Sequence, residues 1–282
     1  MTLGILTTIT EPELRQDRWI EAISCYLDLA DEVVVVDGSK NPIQLPFKDK
    51  KLKQVHLLWP EEWNWVELPK HLNYGLSFLN TSWVLKMDID QFIHEKEFKE
   101  IRKRLSECPK SAEAMTFQKM SMTYGGKYYE KGGQPIAFRN LPGIVIGKAL
   151  DKETDLCFAI RQTGTETVWD WEGTMKYYEL PIGKSLKEER TGVNYWNYDY
   201  FFKTKEFTKK EFWRFSRAYY RYFQSWEFGT NEEDSFRIFL NMQKGRHDKA
   251  LYTYKLEDHS KYIREAVKNL SEEQFGYSGF GA

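Results

Sequence analysis

The segment WVLKMDIDQF, residues 83–92, is an apolar run that ends in two aspartates, Asp88 and Asp90. A continuous apolar run such as residues 83–87 is typical of a parallel strand that is buried on both faces. In open α/β sheets, ligands bind at the carboxyl ends of the strands. The segment therefore predicts a buried strand that delivers two neighbouring carboxylates to a ligand site.

Strand and helix patterns alternate on both sides of this segment. Strand-like runs lie at residues 3–8, 33–36 and 55–58, and apolar residues recur at helical spacing within residues 20–27, 68–79 and 98–105. This order predicts an α/β fold with a doubly wound, mostly parallel sheet flanked by helices. The polar residues that follow three of the strands would share one edge of that sheet: Thr7 and Thr8, Asp37 to Ser39, and Asp88 to Asp90.

A carboxylate pair at the end of a strand is compatible with three roles. Both side chains could be solvated turn residues or helix caps. A glycosidase-type acid and base need carboxyl groups roughly 5 to 9.5 Å apart on opposite sides of a sugar, which positions i and i+2 rarely provide. Mg²⁺ and Mn²⁺ prefer oxygen ligands and are usually held by one or two carboxylates with substrate phosphates. The third role fits best and predicts a Mg²⁺ or Mn²⁺ site at Asp88 and Asp90.

Composition restricts the class of protein further. The 282 residues include 41 basic and 42 acidic ones, which argues against nucleic-acid binding by overall charge but not against a local basic patch. Cys25, Cys108 and Cys157 are far apart and support neither a disulfide framework nor a zinc site. Neither a signal peptide nor a transmembrane stretch is recognisable. We therefore expect a cytoplasmic protein, either free or peripheral to a membrane.

Several segments resemble motifs of family 2 glycosyltransferases with the GT-A fold. DEVVVVDGSKN, residues 31–41, resembles their second-strand motif, and residues 68–92 resemble an Asn-x-Gly helix followed by a strand with a DxD signature. AFRNLPGIVIG, residues 137–147, is similar to a later strand motif, and LEDHSKYI, residues 256–263, is weakly similar to a C-terminal His-Pro stretch. The resemblance implies a nucleotide-sugar donor, a divalent metal ion on its diphosphate, and inversion at the transferred sugar.

The resemblance also implies donor-binding roles for individual residues. Asp37 would contact the base or ribose, Lys70 and Asn73 would lie near the donor, and Asp88 would contact the ribose. The other donor-side candidates are Thr8, Gly38 and Ile89.

Metal binding would fall to Asp88 and Asp90. Gln91 stands where this branch of the family often has an acidic residue. His259 is the candidate for the C-terminal metal-binding histidine, and His247 is the alternative.

The catalytic base is less well determined by the sequence. Inverting transfer needs a carboxylate that deprotonates the acceptor hydroxyl. Asp151, which follows residues 137–147, is the first candidate, and Glu172, directly after Trp171, is the second; Glu153 and Asp170 are alternatives. The acceptor-side candidates are Arg139, Trp169, Trp171, Arg214 and Arg217.

The C-terminal third has a helical pattern. A capping-box sequence begins at Thr208, and aromatic residues then recur at helical spacing. A basic stripe on the same helix consists of Lys210, Arg214, Arg217 and Arg221. It is either a solvated face or a surface for an anionic acceptor, a membrane or nucleic acid. We divide the chain into a GT-A core at residues 1–183 and a helical extension at 184–282. Within the core, residues 1–110 would bind the donor and 111–183 would form the acceptor side, including a glycine-rich loop at 123–135.

The sequence thus predicts a metal-dependent glycosyltransferase that moves a sugar from a nucleotide donor, with UDP favoured, to an acceptor hydroxyl. A glycan, a lipid-linked sugar or a modified DNA base could be the acceptor. Two other functions remain open. A sugar-1-phosphate nucleotidyltransferase would share the sheet and carboxylates, but TTITEPELRQ, residues 7–16, lacks a glycine-rich phosphate loop. A non-catalytic sugar- or polyanion-binding module would bind without turnover or metal.

Overall fold

The computed structural model describes residues 1–151, 158–170 and 177–281. The strands are β1 (Leu3–Ile9), β2 (Glu32–Asp37), β3 (Leu52–His56), β4 (Trp83–Lys86), β5 (Gln91–Phe92), β6 (Ala114–Thr123), β7 (Lys127–Arg139), β8 (Ile144–Ala149), β9 (Phe158–Trp169), β10 (Tyr177–Ser185), β11 (Glu188–Asn197) and β12 (Tyr252–Thr253). The helices are α1 (Trp19–Leu29), α2 (Glu67–Leu76), α3 (Phe98–Glu107), α4 (Lys205–Phe223), α5 (Glu232–Asp248), α6 (Lys261–Lys268) and α7 (Phe275–Ser278).

One large sheet organises the chain. Its strand order is β3-β2-β1-β4-β7-β6-β11-β5, and β12 pairs with β7 beside this path. The strands from β3 to β4 are parallel, β7 is antiparallel to both of its neighbours, and β11 is again parallel to β6. The predicted α/β class is confirmed: the main sheet has a parallel half, and helices pack against both of its faces.

The parallel strands are buried on both faces. Val33 and Val35 of β2 pack in one hydrophobic cluster with α1, whereas Val34 and Val36 pack in a second cluster with α2. Successive side chains of a strand point to opposite faces, so a strand covered on both sides must be apolar throughout. This explains the uninterrupted valine run in the sequence.

Strand β1 lies between β2 and β4, so the chain order reverses its direction across the sheet at this point. Ligands of open α/β sheets bind at such switch points, outside the carboxyl ends of the strands. Leu6 of β1 is opposite Lys86 of β4, and Ile9 is opposite Asp37 of β2. The register therefore brings the polar ends of three strands to one edge.

Helix α2 is fixed closely against the sheet. A Cβ atom at Gly75 would lie 2.4 Å from Val36 Cγ2 and 2.5 Å from Leu6 Cδ1. Asn73 bonds both backbone groups of Ile146 in β8: its Nδ2 donates to the carbonyl at 2.7 Å and its Oδ1 accepts from the amide at 2.8 Å. The Asn-x-Gly sequence thus ties α2 to both the sheet and β8.

The structure differs from the sequence prediction in its second half. The boundary predicted at residue 183 falls inside β10, and β11 then joins the main sheet, so the helical part begins only at α4. Most of the predicted loop at 123–135 belongs to β7, because pairing with β6 outweighs the glycine content; the turn itself lies at Gly125 and Gly126, both with positive φ. Strands β8, β9 and β10 form a small closed barrel.

Helix α4 also begins earlier than the sequence predicted. Its N-cap is Thr204, and Thr208 lies within the first turns. Asn231 caps the N-terminus of α5, because its side-chain oxygen accepts from the Asp234 amide at 3.0 Å. Among residues 1–151, 158–170 and 177–281, no helix is long and apolar enough to cross a membrane.

The contact at Gly75 predicts opposite effects for two glycine-to-alanine substitutions. Gly75→Ala should lower the free energy of unfolding by roughly 1–3 kcal/mol, because the methyl group overpacks the α2–sheet contact. Gly245→Ala in α5, where nothing lies within 4 Å of the added Cβ, should raise it by roughly 0.5–1 kcal/mol through helix propensity. Urea unfolding of both variants measures this difference, and equal effects would contradict the close approach.

Candidate functional site

A cleft opens at the carboxyl ends of β1 and β4. The loop after β3 forms one wall, and the loop after β1 together with the start of α4 forms the other. The residues that line it are Thr8, Ile9, Thr10, Arg15, Asp17, Trp59, Trp63, Leu68, Asp88, Ile89, Asp90, Asp199, Tyr200, Lys203, Glu211 and Arg214. Acidic side chains in this lining outnumber basic ones, which favours a bound cation.

Buried groups hold the turn that carries Asp88 and Asp90. The Tyr26 hydroxyl lies 2.7 Å from the carbonyl oxygen of Asp88 and 2.9 Å from that of Gln91. From the other side, the Tyr198 amide donates to the carbonyl of Asp90 at 2.9 Å. Because the backbone is fixed at both ends, the two carboxylates occupy defined positions in the cleft.

Asp88 is half-exposed and partly neutralised. Lys86 Nζ lies 3.1 Å from its Oδ1, and Gln91 Nε2 donates to its Oδ2 at 2.8 Å. Gln91 also accepts from the Asp88 amide at 3.1 Å. Gln91 therefore orients Asp88.

Asp90 carries a buried carboxylate oxygen that lacks a hydrogen-bond partner. Its Oδ1 is inaccessible to solvent and unpaired. Burial, together with the Asp199 and Asp88 carboxylates, raises the pKa of Asp90 to about 7, although Lys119 and Lys203 oppose the shift. Burial also raises the pKa of Asp199. The floor of the cleft thus concentrates negative charge in a poorly solvated place, which a bound cation would relieve.

The α4 wall consists of ion pairs. Arg15 lies 2.8 Å from Glu211 and 3.4 Å from Asp17, and Lys203 lies 2.8 Å from the other oxygen of Asp17. Burial would raise the pKa of Glu211, but Arg15 and Arg214 hold it below its ordinary value. The cations of this wall are therefore already engaged with carboxylates.

The opposite wall is aromatic and uncharged. The rings of Trp59 and Trp63 meet edge to face with centroids 5.6 Å apart. His71 packs behind Trp59 at 4.3 Å, and Trp65 stacks behind Trp63 at 5.6 Å. Both lining indoles are half-buried, so each retains surface toward the cleft.

The donor-side residues predicted from sequence divide into two groups. Thr8, Asp88 and Ile89 line the cleft. Asp37 is fully buried, and its carboxylate accepts from the amides of Ser39 at 2.9 Å and Ile43 at 2.8 Å. Gln54 Nε2 donates to the same carboxylate at 2.9 Å. Asp37 thus organises the loop after β2, and its contact with a nucleoside stays a prediction.

Three other donor-side candidates lie outside the cleft lining. Gly38 allows close packing, since a Cβ there would lie 2.7 Å from Thr10 Oγ1 and 2.8 Å from Trp59 Cβ. Lys70 is half-exposed and pairs with Glu67 at 3.1 Å. Asn73 is engaged with β8, as described above.

The two histidines proposed as metal ligands lie elsewhere. His259 is buried among aromatic rings, with the Tyr198 hydroxyl 2.5 Å from its Nδ1, and burial lowers its pKa to about 4. His247 stacks on Tyr124 at 3.9 Å. Within the described ranges, no three His, Cys, Asp or Glu side chains are arranged to hold a metal ion. Asp88 and Asp90 therefore lack the predicted histidine beside them.

Neither of the two base candidates that the structure describes, Asp151 and Asp170, lines the cleft. Asp151 is exposed at the end of β8 and accepts from the Ser185 amide at 2.9 Å and its hydroxyl at 2.8 Å. Glu172, Glu153 and Trp171 lie outside the described residues. Asp170 is described but does not line the cleft.

Of the four acceptor candidates within the described residues, only Arg214 lines the cleft. Arg139 donates to three backbone carbonyls near the end of α3 and stacks over Trp83, which is a structural role. Trp169 is 52% exposed on the small barrel, 5.9 Å from the ring of Tyr177. Arg217 pairs with Glu62 at 2.5 Å.

The basic stripe of α4 is largely neutralised. Glu62 lies 2.5 Å from Arg217 and 3.0 Å from Arg221, and Glu206 lies 2.8 Å from Lys210. A surface for an anionic polymer would present unpaired cations. The pairing therefore favours the solvated, structural interpretation of this stripe.

Sequence reasoning missed several lining residues. Asp199 follows the end of β11 by two residues. The rule that polar residues after a sheet strand face the ligand site predicted Asp88. It would also have predicted Asp199 if β11 had been assigned to the main sheet. Trp59 and Trp63 stand in the aromatic segment WPEEWNW, residues 59–65, which was a detectable signal. The pairing of Arg15 with Glu211 left no signal in the sequence, because the two residues are distant in the chain.

Neither a protein-family model nor a curated protein matches the sequence. The structure is similar to that of a Desulfovibrio desulfuricans G20 protein described as a nucleotide-diphospho-sugar transferase, with 12% identity over 50% of this chain and 64% of that chain and a TM-score of 0.29. It is also similar to S. aureus TarS 1–349, with 15% identity over 86% of this chain and 56% of that chain and a TM-score of 0.31. This chain thus spans less than two-thirds of the length of either of those chains.

The charge on Asp90 predicts a pH-dependent effect of Asp90→Asn. With a pKa of about 7 in the folded state and about 4 in the unfolded state, wild type loses stability as the pH rises between these values. The uncharged amide escapes this loss. The free energy of unfolding of the variant minus that of wild type should therefore be higher at pH 8 than at pH 5, by roughly 1–3 kcal/mol.

Urea unfolding in EDTA at the two pH values provides the measurement. If the free energies of unfolding of variant and wild type differ by the same amount at both pH values, the charged form of Asp90 is not disfavoured in the folded protein.

Proposed function

We propose that the protein is a metal-dependent glycosyltransferase that moves a sugar from a nucleotide-sugar donor to an acceptor hydroxyl. The observation that carries the proposal is the buried, unpaired Oδ1 of Asp90 in an acidic cleft at the β1–β4 switch point. A carboxylate in this state favours a cation, and the switch point is where such sheets bind nucleotides.

Asp88 and Asp90 fit a divalent ion that is completed by substrate. Two carboxylates with substrate phosphates are a usual environment for Mg²⁺, whereas a structural site would need more protein ligands than the described residues bring together. When bound, Mg²⁺ or Mn²⁺ would neutralise the charge that develops on a diphosphate leaving group. Gln91 and Lys86 would hold Asp88 in orientation for this role.

Asp199 is the carboxylate that we propose as the base. It lines the cleft, and burial raises its pKa, which improves a carboxylate's ability to take a proton near neutral pH. Asp151, the first candidate from sequence, is exposed and engaged with Ser185.

An uncharged acceptor fits the cleft better than an anionic one. The cations Arg15, Lys203 and Arg214 are paired with Asp17 and Glu211 along the α4 wall. An anionic acceptor would have to break these pairs or face the surplus carboxylates of the floor. We therefore propose a neutral glycan hydroxyl as the acceptor, and UDP as the favoured nucleotide.

Nucleotide binding tests the proposal directly. Titration calorimetry with UDP, GDP, dTDP and CMP should show one nucleotide that binds tightly with Mn²⁺ and weakly without it. The double variant Asp88→Asn with Asp90→Asn should lose the Mn²⁺-dependent part, because it lacks the carboxylates that hold the ion. Asp248→Asn on the exposed surface of α5 is the control and should bind like wild type.

Absence of nucleotide binding in the presence of Mn²⁺ and also in the presence of Mg²⁺ would reject the glycosyltransferase proposal. Binding that survives the double substitution would place the metal elsewhere.

The base assignment is tested by comparing Asp199→Asn with Asp151→Asn. Hydrolysis of the nucleotide sugar in the absence of acceptor uses water as the nucleophile and measures the same proton transfer. Asp199→Asn should lower kcat by about 10²- to 10⁴-fold, the usual contribution of a general base, while nucleotide affinity changes little. The reverse ranking of the two variants would return the role to Asp151.

A further inference from the structure

We infer that the nucleobase of the donor stacks against Trp59 and Trp63, and that Asp37 shapes the neighbouring loop without contacting the base. The inference rests on the proposed function, since it concerns the nucleotide bound in the same cleft. It departs from the resemblance to family 2 glycosyltransferases, which places the nucleoside contact at Asp37.

The two walls of the cleft differ in what they can bind. If the diphosphate lies at Asp88 and Asp90, the nucleoside must extend toward one wall. The α4 wall presents ion pairs between Arg15, Asp17 and Glu211, which a flat base would desolvate without replacing their partners. The wall with the tryptophans carries no charge and offers aromatic surface. A nucleobase is therefore better accommodated against the tryptophans.

Trp59 lies at the strand ends where this sheet would receive a nucleotide. Its amide donates to the Gly38 carbonyl at 2.9 Å, and Gly38 in turn donates to the carbonyl of Ile9 at 2.8 Å. A side chain at Gly38 would collide with Trp59 Cβ at 2.8 Å and with Thr10 Oγ1 at 2.7 Å. The absence of that side chain lets the indole sit directly beside the ends of β1 and β2.

Both indoles are supported from behind. His71, behind Trp59, is fixed because its ring nitrogens lie 2.8 Å from the carbonyl oxygens of Glu67 and Leu57. Behind Trp63, Trp65 contacts the α4 rings of Phe215 at 5.1 Å and Tyr219 at 6.0 Å, among others. A platform that is already rigid loses little conformational entropy when a base stacks on it.

Asp37 has no surface that a base could contact. It is fully buried, and three donors from Ser39, Ile43 and Gln54 converge on its two oxygens. Contact with a nucleobase would require these bonds to break and the loop to open. Asp37, which matches the family motif, thus has a structural role in holding the loop after β2.

The experiment compares a nucleoside diphosphate with pyrophosphate, which shares its phosphates but has no base. The probes are whichever of UDP, GDP and dTDP wild type binds most tightly, and pyrophosphate, each measured by calorimetry with Mn²⁺. Trp59→Leu should weaken the nucleotide by about 5- to 150-fold, the loss of one base–aromatic stack, and pyrophosphate by less than about twofold. Trp63→Leu should act in the same direction, and Trp59→Phe should retain most of the affinity.

Two further variants complete the test. Asp37→Asn should change the affinities for nucleotide and pyrophosphate by the same factor, because it alters the loop and not the base contact. Trp213→Leu, whose ring stacks on Trp226 outside the cleft, should change neither. Thermal unfolding of each variant verifies that it is folded.

Three results would overturn the inference while leaving the proposed function intact: nucleotide affinity unaffected by both tryptophan variants, equal weakening of nucleotide and pyrophosphate by Trp59→Leu, or selective weakening of the nucleotide by Asp37→Asn. Failure of wild type to bind any of the nucleotides would instead reject the proposed function, and the base platform with it.

Discussion

The burial of negative charge at the edge of the sheet is the constraint on which the site depends. A carboxylate that is removed from water without a partner is unfavourable, and Asp90 lies beside a second acid, Asp199. The protein keeps this arrangement by fixing the backbone around it, with Tyr26 on one side and Tyr198 on the other. Packing elsewhere in the core must therefore offset an electrostatic penalty that the chain itself does not remove.

Residues that match a family motif have structural roles here that are independent of any ligand. Asn73 joins α2 to β8, Gly75 permits α2 to approach the sheet, and Asp37 closes the loop after β2. These roles would persist in a protein that had lost its substrate. A motif of this kind therefore identifies the architecture more securely than it identifies the ligand contacts.

The sequence was most informative where local pattern and tertiary structure coincide. The valine run of β2, the helix around Gly75 and the aspartates after β4 could be predicted, because burial and strand polarity leave a direct trace in neighbouring residues. The assignment of β11 to the main sheet could not, since it pairs with β6 from more than 70 positions away. The same separation hid Asp199. It also hid the burial of His259 by aromatic packing that no local pattern records.

The long separation between the two halves of the cleft has a consequence for synthesis on the ribosome. Asp90 is made about 110 residues before Asp199, which at roughly 5–20 residues per second is an interval of about 5–20 s. During that time the strands from β1 to β4 can pair, while the edge that carries Asp90 remains hydrated and open. The unfavourable electrostatic interaction between the two carboxylates can therefore arise only after β11 has been synthesised, when the residues of much of the hydrophobic core are available to stabilise it. The order of synthesis would thus allow the nascent chain to collapse before Asp90 and Asp199 are brought together.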